Sequence, residues 1–326
     1  MPAVPFKANA KSRHHIPKQK RRLTNWPAYE ASLRQRGDLT VWFTDDAVAA
    51  WRAEPRTSRG GQPWYSPLAI LTALTLRAVF RLALRQTEGL IGSVIRLLGL
   101  DLPVPDHTTL SRRADGLDMP HPQSRAGANG MHLIVDSSGL KFHGPGEWQV
   151  EKHGAKTRRS WRKLHIGLDA DTGEIVASEL TRNDIDDGSQ VGPLLDQIAG
   201  PVASFTGDGA YDTTDVYAAI AAHHAGAAVI VPPRSTAVAS ETSKTDPTPR
   251  DRHLTCIAER GRIGWQKASG YNKRSRVEAT IGRFKQVIGN GLRSQTDTRQ
   301  DTEVAVAIHV LNRMLAFGRP QSVRIS

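Results

Sequence analysis

Near the end of the chain, a stretch predicted to be helical sets one carboxylate among several cations. Four of its residues lie at spacings of three, seven and fourteen from the first: Tyr271, Arg274, Glu278 and Lys285. On an α-helix these spacings fall within an arc of roughly 60°. A neighbouring stripe with the period of a core-facing helix contains Val277, Ile281, Phe284 and Ile288. The helix can therefore pack on a core while Glu278 stays at the edge of the buried face, which suits a metal ion and an anionic substrate.

Two earlier segments each place a further carboxylate at the end of an apolar run. LIVD at 133–136 and FTGD at 205–208 are short apolar runs that each end on an aspartate, as expected for buried strands with acids at their carboxyl ends. Alone, the Arg274 and Glu278 spacing would describe a solvated pair worth about a few tenths of a kcal/mol. With Asp136 and Asp208 on neighbouring parallel strands, we expect three carboxylates to converge.

Composition points to a polyanionic partner. The 326 residues carry a formal charge of +12 and a sequence pI near 10.1, and nucleic acid is the commonest partner of such a protein. No amphipathic basic anchor for a lipid surface is found, and the most hydrophobic run, 68–80, is interrupted by Arg77, so we expect neither a membrane span nor a signal peptide. Cys256 is the only cysteine, which excludes a disulfide framework and suggests the reducing cytoplasm.

The first 118 residues are predicted to form a basic arm and a helical domain. Residues 1–25 are basic and too polar to bury, so they form a flexible arm that either follows phosphates or only aids solubility. Residues 26–118 have helical periodicity, and the final helices, with Asp106 as an N-cap, resemble a helix-turn-helix unit. In that case Thr108, Arg112 and Arg113 project toward DNA; the alternative is a plain helical bundle.

After a boundary at 118–131 the pattern changes to an α/β arrangement. Strands are predicted at 132–136, 161–169, 174–181, up to 208 and up to 232, with helices at 188–198, 213–225 and 299–317. The first three strands form a meander with a hairpin turn at 169–173, and the rest alternate with helices, giving a mixed sheet. Asp212 is predicted to cap a helix, and the polar segment 233–270 is predicted to be an insertion without core helix or strand.

A basic cluster follows the first aspartate. It contains Lys141, Lys152, Lys156, Arg158, Arg159, Arg162 and Lys163, and we expect it to follow a DNA backbone. Trp148, Trp161 and Trp265 either stack on a displaced base or belong to the core. Gly139, Gly207 and Gly209, beside the two aspartates, are predicted to let backbone or phosphate approach closely.

These motifs resemble a known family. The spacing Tyr271-x2-Arg274-x3-Glu278-x6-Lys285 resembles the tyrosine-arginine-glutamate-lysine signature of bacterial DDE transposases, and three segments resemble the insertion-sequence-five group: IVDSSGLK (134–141), SWRKLHIGLD (160–169) and TGDGAYD (206–212). The resemblance implies an RNase H-like catalytic domain over 131–318 with flanking helices. It also implies recognition of terminal inverted repeats, and DNA cleavage and strand transfer during transposition.

The resemblance assigns roles to residues. Asp136, Asp208 and Glu278 would be catalytic and would hold Mg²⁺, two ions per site, for which Mn²⁺ can substitute; Tyr271, Arg274 and Lys285 would contact the DNA end. Two metal ions about 4 Å apart can activate the attacking oxygen and stabilise the leaving one, and Mg²⁺ needs few carboxylate ligands. The partners implied are double-stranded DNA, both element ends and target, and a second copy in a synaptic homodimer.

Two other functions compete with this interpretation. A DNA-binding protein without catalysis, such as a repressor or a domesticated relative, would need only the helical domain. A metal-dependent nuclease would cut without joining. The presence of all three acids, Asp136, Asp208 and Glu278, argues against the first alternative.

Overall fold

The computed structural model describes residues 20–57, 59–119, 130–142 and 161–325. Several predictions fall outside these residues: most of the arm at 1–25, the centre of the boundary at 120–129, and Trp148, Lys152, Lys156, Arg158 and Arg159. The two ends of the described chain meet, because β1 (Arg21–Leu23) pairs antiparallel with β8 (Ser322–Arg324). In the sequence, all remaining elements lie between β1 and β8.

The N-terminal part is helical, as predicted. Its helices are α1 (Trp26–Gln35), α2 (Asp45–Ala49), α3 (Pro67–Val79), α4 (Leu84–Leu97) and α5 (His107–Arg113). Thr44, Ser66 and Asp106 accept backbone N–H groups at the starts of α2, α3 and α5, which is the usual role of an N-cap. Within the described residues no single helix is long and apolar enough to cross a membrane, although α3 and α4 pass that test as a pair bent by 112°.

The following part is built on one mixed sheet. Its strands are β2 (Met131–Phe142), β3 (Trp161–Asp169), β4 (Ile175–Arg182), β5 (Val202–Thr206), β6 (Ala228–Ile230) and the short β7 (Gly291–Leu292). The order is β4-β3-β2-β5-β6, with β7 added at the end of β2. The first three strands are antiparallel neighbours, whereas β5 and β6 run parallel to β2. This is the RNase H-like arrangement that the resemblance implied.

The register of β2 and β5 explains why two distant aspartates meet. β2 is longer than predicted, so Asp136 lies inside the strand and not at its end. Ile134 pairs with Thr206, the last residue of β5. The parallel register therefore brings Asp136 level with Asp208, each two residues beyond that pair.

Helices cover both faces of the sheet. They are α6 (Val191–Asp196) and α7 (Thr214–His223) on one face, and α9 (Ser275–Val287) and α10 (Asp297–Phe317) on the other. α10 is buried on two sides: Val304, Ile308 and Leu311 pack on the sheet, while Val306 and Val310 belong to the core of the helical part. The region predicted as a separate helical domain at 26–118 therefore shares a core with the helix that backs the sheet.

The expectation for 233–270 was wrong in one respect. This segment contains the long helix α8 (Pro249–Ser269), bent at Gly261, where φ is +69°. Its start carries a capping box in which Thr248 and Asp251 each accept the other's backbone N–H, and it ends at Gly270 with φ +72°. The helix forms because its ends are well specified, although its composition is polar.

Side chains bond some of the outward backbone groups at both outer edges of the described sheet. On β4, the amide of Asn312 bonds both backbone groups of Ile175, and the amide of Gln197 bonds both backbone groups of Ser178, at 2.8 to 3.2 Å. On β6, the carbonyl oxygen of Val229 bonds the imidazole of His253 at 2.7 Å. These contacts satisfy backbone groups that no strand pairs.

Candidate active site

Three elements deliver the three predicted carboxylates to one place. Asp136 comes from β2, Asp208 from the turn after β5, and Glu278 from the first turn of α9. Val277 and Phe284 are buried against the sheet, as the predicted apolar stripe requires, and they fix the side of α9 that carries Glu278. A helix N-terminus also favours a carboxylate in its first turn.

One guanidinium group lies between the carboxylates. Arg274 Nη2 is 3.0 Å from Asp136 Oδ2 and 3.6 Å from Asp208 Oδ2, and its Nη1 donates to Glu278 Oε1. The predicted start of the helix was wrong: Tyr271–Arg274 is a 3₁₀ turn, and the α-helix begins at Ser275. Sequence reasoning had assigned Arg274 to the DNA end, and the spacing of four residues from Glu278 was the signal for this pairing.

Burial and charge act together at this site. The side chains of Asp136 and Arg274 are only 14% and 17% exposed. Burial raises the pKa of Asp136 above its ordinary value, while Arg274 and the N–H of Ser137 oppose that shift, and the other two acids add to it. Burial would lower the pKa of Arg274, but the acids, Asp136 first, raise it overall. Arg274 and Asp136 therefore each oppose the effect of burial on the other's pKa.

A hydrogen bond and an aromatic ring hold the turn that carries Asp208. Asp208 Oδ1 accepts the N–H of Ala210 at 2.8 Å, and the ring of Tyr211 packs where a side chain at Gly207 would stand, with its Cδ2 2.7 Å from the ideal Cβ position. Gly139 likewise makes room for the ring of Trp161. At Gly207 and Gly139, aromatic rings thus take the space that was predicted for close approach of backbone or phosphate, whereas Gly209 faces the carbonyl oxygen of Pro232.

Asp212 does not cap a helix, contrary to the prediction, since Thr213 caps α7. Its buried carboxylate accepts hydrogen bonds from Nε and Nη2 of Arg250, both at 2.9 Å, and from the backbone N–H of Arg234. Arg234 in turn donates to the carbonyl oxygens of Gly209 and Ala210. These contacts tie the segment before α8 and its first turn to the Asp208 loop.

Two residues of the predicted basic cluster point inward. Arg162 is buried and donates to Asp297 at 2.6 Å and to the carbonyl oxygen of Leu180. Lys163 Nζ donates to the carbonyl oxygen of Ile185 at 2.7 Å and lies 3.2 Å from Asp187. Each positive charge is therefore paired within the fold, which argues against the prediction that these two side chains contact DNA.

Beside Lys163, His165 is fully buried. Its Nε2 lies 2.8 Å from the hydroxyl of Thr181. Burial lowers the pKa of His165 to about 4, with Asp187 opposing the shift. The imidazole is thus neutral at pH 7 and packs within the sheet, where His165 pairs with Ser137, the neighbour of Asp136.

The other predicted DNA contacts are spread over the surface. Lys141 and Lys285 are at least partly exposed, and Thr108 and Arg112 are exposed on α5. Arg113 donates to the carbonyl oxygen of Tyr65 at 3.1 Å, so it helps to hold α5 in place. Tyr271 packs on Trp265, with ring centroids 5.2 Å apart. Trp265 is only 2% exposed, which excludes base stacking and makes it a core residue.

Comparison with known families decides the identity. One family model described as a transposase DDE domain matches residues 128–315, and a second with the same description matches residues 34–145. The first covers more than half of the chain. This chain belongs to the DDE transposase family. The matched regions include Asp136, Asp208 and Glu278.

Solved transposase structures overlap with this transposase at low identity. A piggyBac transposase synaptic complex with hairpin DNA shares 12% identity, with a TM-score of 0.42 over 93% of this chain and 80% of that chain. The Drosophila P element transposase strand transfer complex shares 12% identity, with a TM-score of 0.31 over 86% and 70%. Scores of this size do not establish a common fold, so the fold is assigned from the strand order.

The donor set of the transposase fits a hard divalent cation in chemistry and charge. Asp136, Asp208 and Glu278 offer only carboxylate oxygens, which Mg²⁺ prefers, and with Arg274 they leave two negative charges uncompensated. Within the described residues no three acids, histidines or cysteines stand as close as a formed metal site requires. The cation around which these carboxylates now gather is the guanidinium of Arg274.

A large cavity of the described part lies away from these carboxylates. It has a volume of about 660 Å³ and lies between β4 and α10, with Glu179, Gln197, Asp301 and Asn312 in its wall. None of the three carboxylates contributes to it. An open cluster of acids on a surface suits an extended substrate better than a deep pocket would.

Proposed function

We propose that this transposase binds the terminal inverted repeats of an insertion sequence and catalyses metal-dependent DNA cleavage and strand transfer. One observation carries the proposal: carboxylates from β2, the β5 turn and α9 gather on a single cation, with Asp136 and Asp208 level with each other. Family membership supplies the reaction class, and a formal charge of +12 suits double-stranded DNA, both element ends and target.

The reaction has two phosphoryl-transfer steps. In the first, a water oxygen attacks the phosphorus at the element end, the bond to the 3′ oxygen breaks, and a 3′ hydroxyl is released. In the second, that hydroxyl attacks a target phosphodiester, so one ester bond replaces another. Mg²⁺ ions held by Asp136, Asp208 and Glu278 would supply Lewis-acid stabilisation of the attacking and leaving oxygens.

The remaining roles belong to Arg274, Lys285 and Tyr271. Before DNA binds, Arg274 neutralises part of the carboxylate charge. In the complex it would contact a phosphate of the DNA end, as the family signature implies. Lys285 lies two turns after Glu278 on α9 and extends the cationic side of that helix. Tyr271, held on the buried Trp265, borders the same side.

The test is an end-cleavage assay with purified full-length protein, Mg²⁺ and a labelled duplex that contains the native element end. We expect nicked product first and joined product when target DNA is added. Hydrolysis without joining would indicate a nuclease, and binding without either product would indicate a DNA-binding protein; both outcomes contradict the proposal. Mn²⁺ in place of Mg²⁺ should preserve the pattern of products.

Joining two ends at once requires two active sites. We therefore propose a homodimer in the complex with paired ends, working in the cytoplasm where the element's DNA is accessible. Light scattering of the protein with and without end duplex tests the assembly, and a complex that retains one protomer on paired ends would contradict it.

A further inference from the structure

A small cleft lies where α3 and α5 meet the segment between α9 and α10. Four arginines line it: Arg77, Arg81, Arg293 and Arg299. Glu303 is the only acid in its wall, and Leu74 and Ile288 are among the apolar residues there. We refer to it as the four-arginine cleft. No part of the site described above contributes to it.

The positive charge of this cleft is not balanced by the described residues. Glu303 accepts the backbone N–H groups of Arg293 and Ser294 at 3.0 and 2.8 Å. Among the described acids only Asp115 comes within 4 Å of one of the four guanidinium groups, at 3.9 Å from Arg299. The four guanidinium groups therefore have one described carboxylate within 4 Å, that of Asp115.

Two of the arginines hold the walls together. Arg81 donates to the carbonyl oxygens of Gln286 and Val287 at the end of α9, and Arg293 donates to those of Arg81 and Leu82 at 2.9 to 3.1 Å. Arg81 is the one described residue other than glycine with a positive φ, +54°. The strained backbone at Arg81 and the bonds that these two arginines make across the cleft fix its shape.

The other two arginines have donors that nothing described satisfies. The Nε atoms of Arg77 and Arg299 are buried without a hydrogen-bond partner among the described residues. Burial lowers the pKa of Arg77, Glu303 opposes that shift, and Arg293 adds to it. Buried cationic donors of this kind are costly unless an anion bonds to them.

The cleft lies within reach of the same DNA as the carboxylates. Ile288 in its wall follows Glu278 by ten residues along α9, which is about 15 Å of helix. The wall also contains Gly291 of β7, which pairs with Lys141 of β2, five residues after Asp136. A separation of about 15 Å corresponds to the rise of roughly four to five base pairs.

We propose that the four-arginine cleft binds one backbone phosphate of the DNA whose end lies at the carboxylates. Its cavity volume of about 50 Å³ is several times the roughly 10–15 Å³ that one water needs, which suits a phosphate group and excludes a base with its sugar. Bidentate guanidinium bonds are the usual means of holding such a group. The inference rests on the proposed function for its ligand, but not for its charge or shape.

The first test measures affinity for a fluorescent end duplex in EDTA, where no cleavage occurs. We expect Arg299→Gln and Arg77→Gln each to weaken binding about tenfold and to reduce the salt slope by about one unit. Arg34→Gln removes the same charge from a pair with Glu30 on α1 and should leave both quantities unchanged. An unchanged slope in folded Arg299→Gln overturns the proposal, whether or not the protein cleaves DNA with Mg²⁺.

A second measurement needs no substitution. In ¹⁵N-arginine-labelled full-length protein, the Nε–H resonances of Arg77 and Arg299 should shift when the duplex is added, and also with millimolar inorganic phosphate. Shifts with inorganic phosphate alone would mean a site for free oxyanions and would overturn the DNA assignment. An absence of shifts with both probes would overturn the site itself.

Discussion

The carboxylate site and the four-arginine cleft have opposite imbalances of charge. At the first, one guanidinium contacts three acids; in the second, four guanidinium groups share a wall with a single glutamate, whose carboxylate bonds backbone N–H groups instead. Each region keeps one side chain of opposite charge among like charges. Each is also short of the charge that its proposed ligand would bring, a divalent cation in one case and a phosphate in the other.

The largest expected effect concerns the acids. Asp136→Ala should reduce cleavage and joining by about 10⁴-fold or more, because the site loses its most buried carboxylate, while end binding in EDTA stays within about twofold of wild type. The assay is the Mg²⁺ end-cleavage reaction, with Asp184→Ala, a surface acid next to Arg182, as the matched control. Retained cleavage in Asp136→Ala would remove that residue from the site.

The next effect concerns the single cation among the acids. Arg274→Ala should lower the free energy of unfolding of the metal-free protein by about 1–3 kcal/mol, since three carboxylates lose their counterion; partial exposure of Asp208 and Glu278 limits the effect. Mg²⁺ should then raise the melting temperature of the variant more than that of wild type.

Arg274→Lys is the control for that experiment, because it keeps one positive charge without the guanidinium fork. Calorimetric melting with and without Mg²⁺ gives both quantities. If Mg²⁺ raises the melting temperature of wild type and of Arg274→Ala equally, Arg274 does not occupy the cation position. The contrast of charge between the two regions would then not hold for the carboxylate site.

A third effect concerns the dependence of stability on pH. Guanidinium groups do not titrate in this range, so this dependence comes from other groups, among them His165. The lowered pKa of His165, about 4 against an ordinary 6.5, means that its contribution to stability is present above pH 6.5 and is lost as pH falls toward 4, by up to about 3 kcal/mol. His165→Gln should remove this part of the pH dependence in chemical denaturation.

His223 provides a contrast of opposite sign. Bonds to the carbonyl oxygen of Ala219 and to Asp196 raise its pKa, so its contribution is present at low pH and is lost as pH rises through the raised value. His223→Gln should therefore lose stability at low pH, where His165→Gln gains relative to wild type. Equal pH profiles for the two variants would refute the assignment of His165 as a neutral buried group.

The smallest effect distinguishes an outward lysine from an inward one. Lys141 is exposed near β7, whereas Lys163 is paired with Asp187 and Ile185. Lys141→Ala should reduce the salt slope of duplex binding by about one unit, and Lys163→Ala should leave it unchanged. A lower slope in Lys163→Ala would show that its charge is available to DNA after all.

The meeting of the acids could be predicted from sequence because strand ends, helical period and a known signature all constrain it. The apolar runs before Asp136 and Asp208 indicated neighbouring strands, and the pattern around Val277 gave the buried side of α9. The turn at Asp169 was also predictable: its carboxylate accepts bonds from Asp171 and Thr172, and Gly173 has φ +72°.

What could not be predicted depends on distant partners. Arg162 is drawn inward by Asp297, which lies 135 residues away, and periodicity along β3 contains no information about that acid. The four-arginine cleft likewise combines α3, α10 and the segment between α9 and α10. In contrast, the helix α8 left a local signal that was missed: Thr248, Pro249 and Asp251 at its start and Gly270 at its end.

The side chains along β4 and β6 also affect how two molecules can associate. Because Asn312, Gln197 and His253 already bond outward backbone groups of Ile175, Ser178 and Val229, a strand from a second copy can pair with those groups only after these side chains move away. Side chains that bond edge groups in this way oppose edge-to-edge growth into larger aggregates. We therefore expect protomers that pair across two DNA ends to use helical surfaces, loops or the DNA itself.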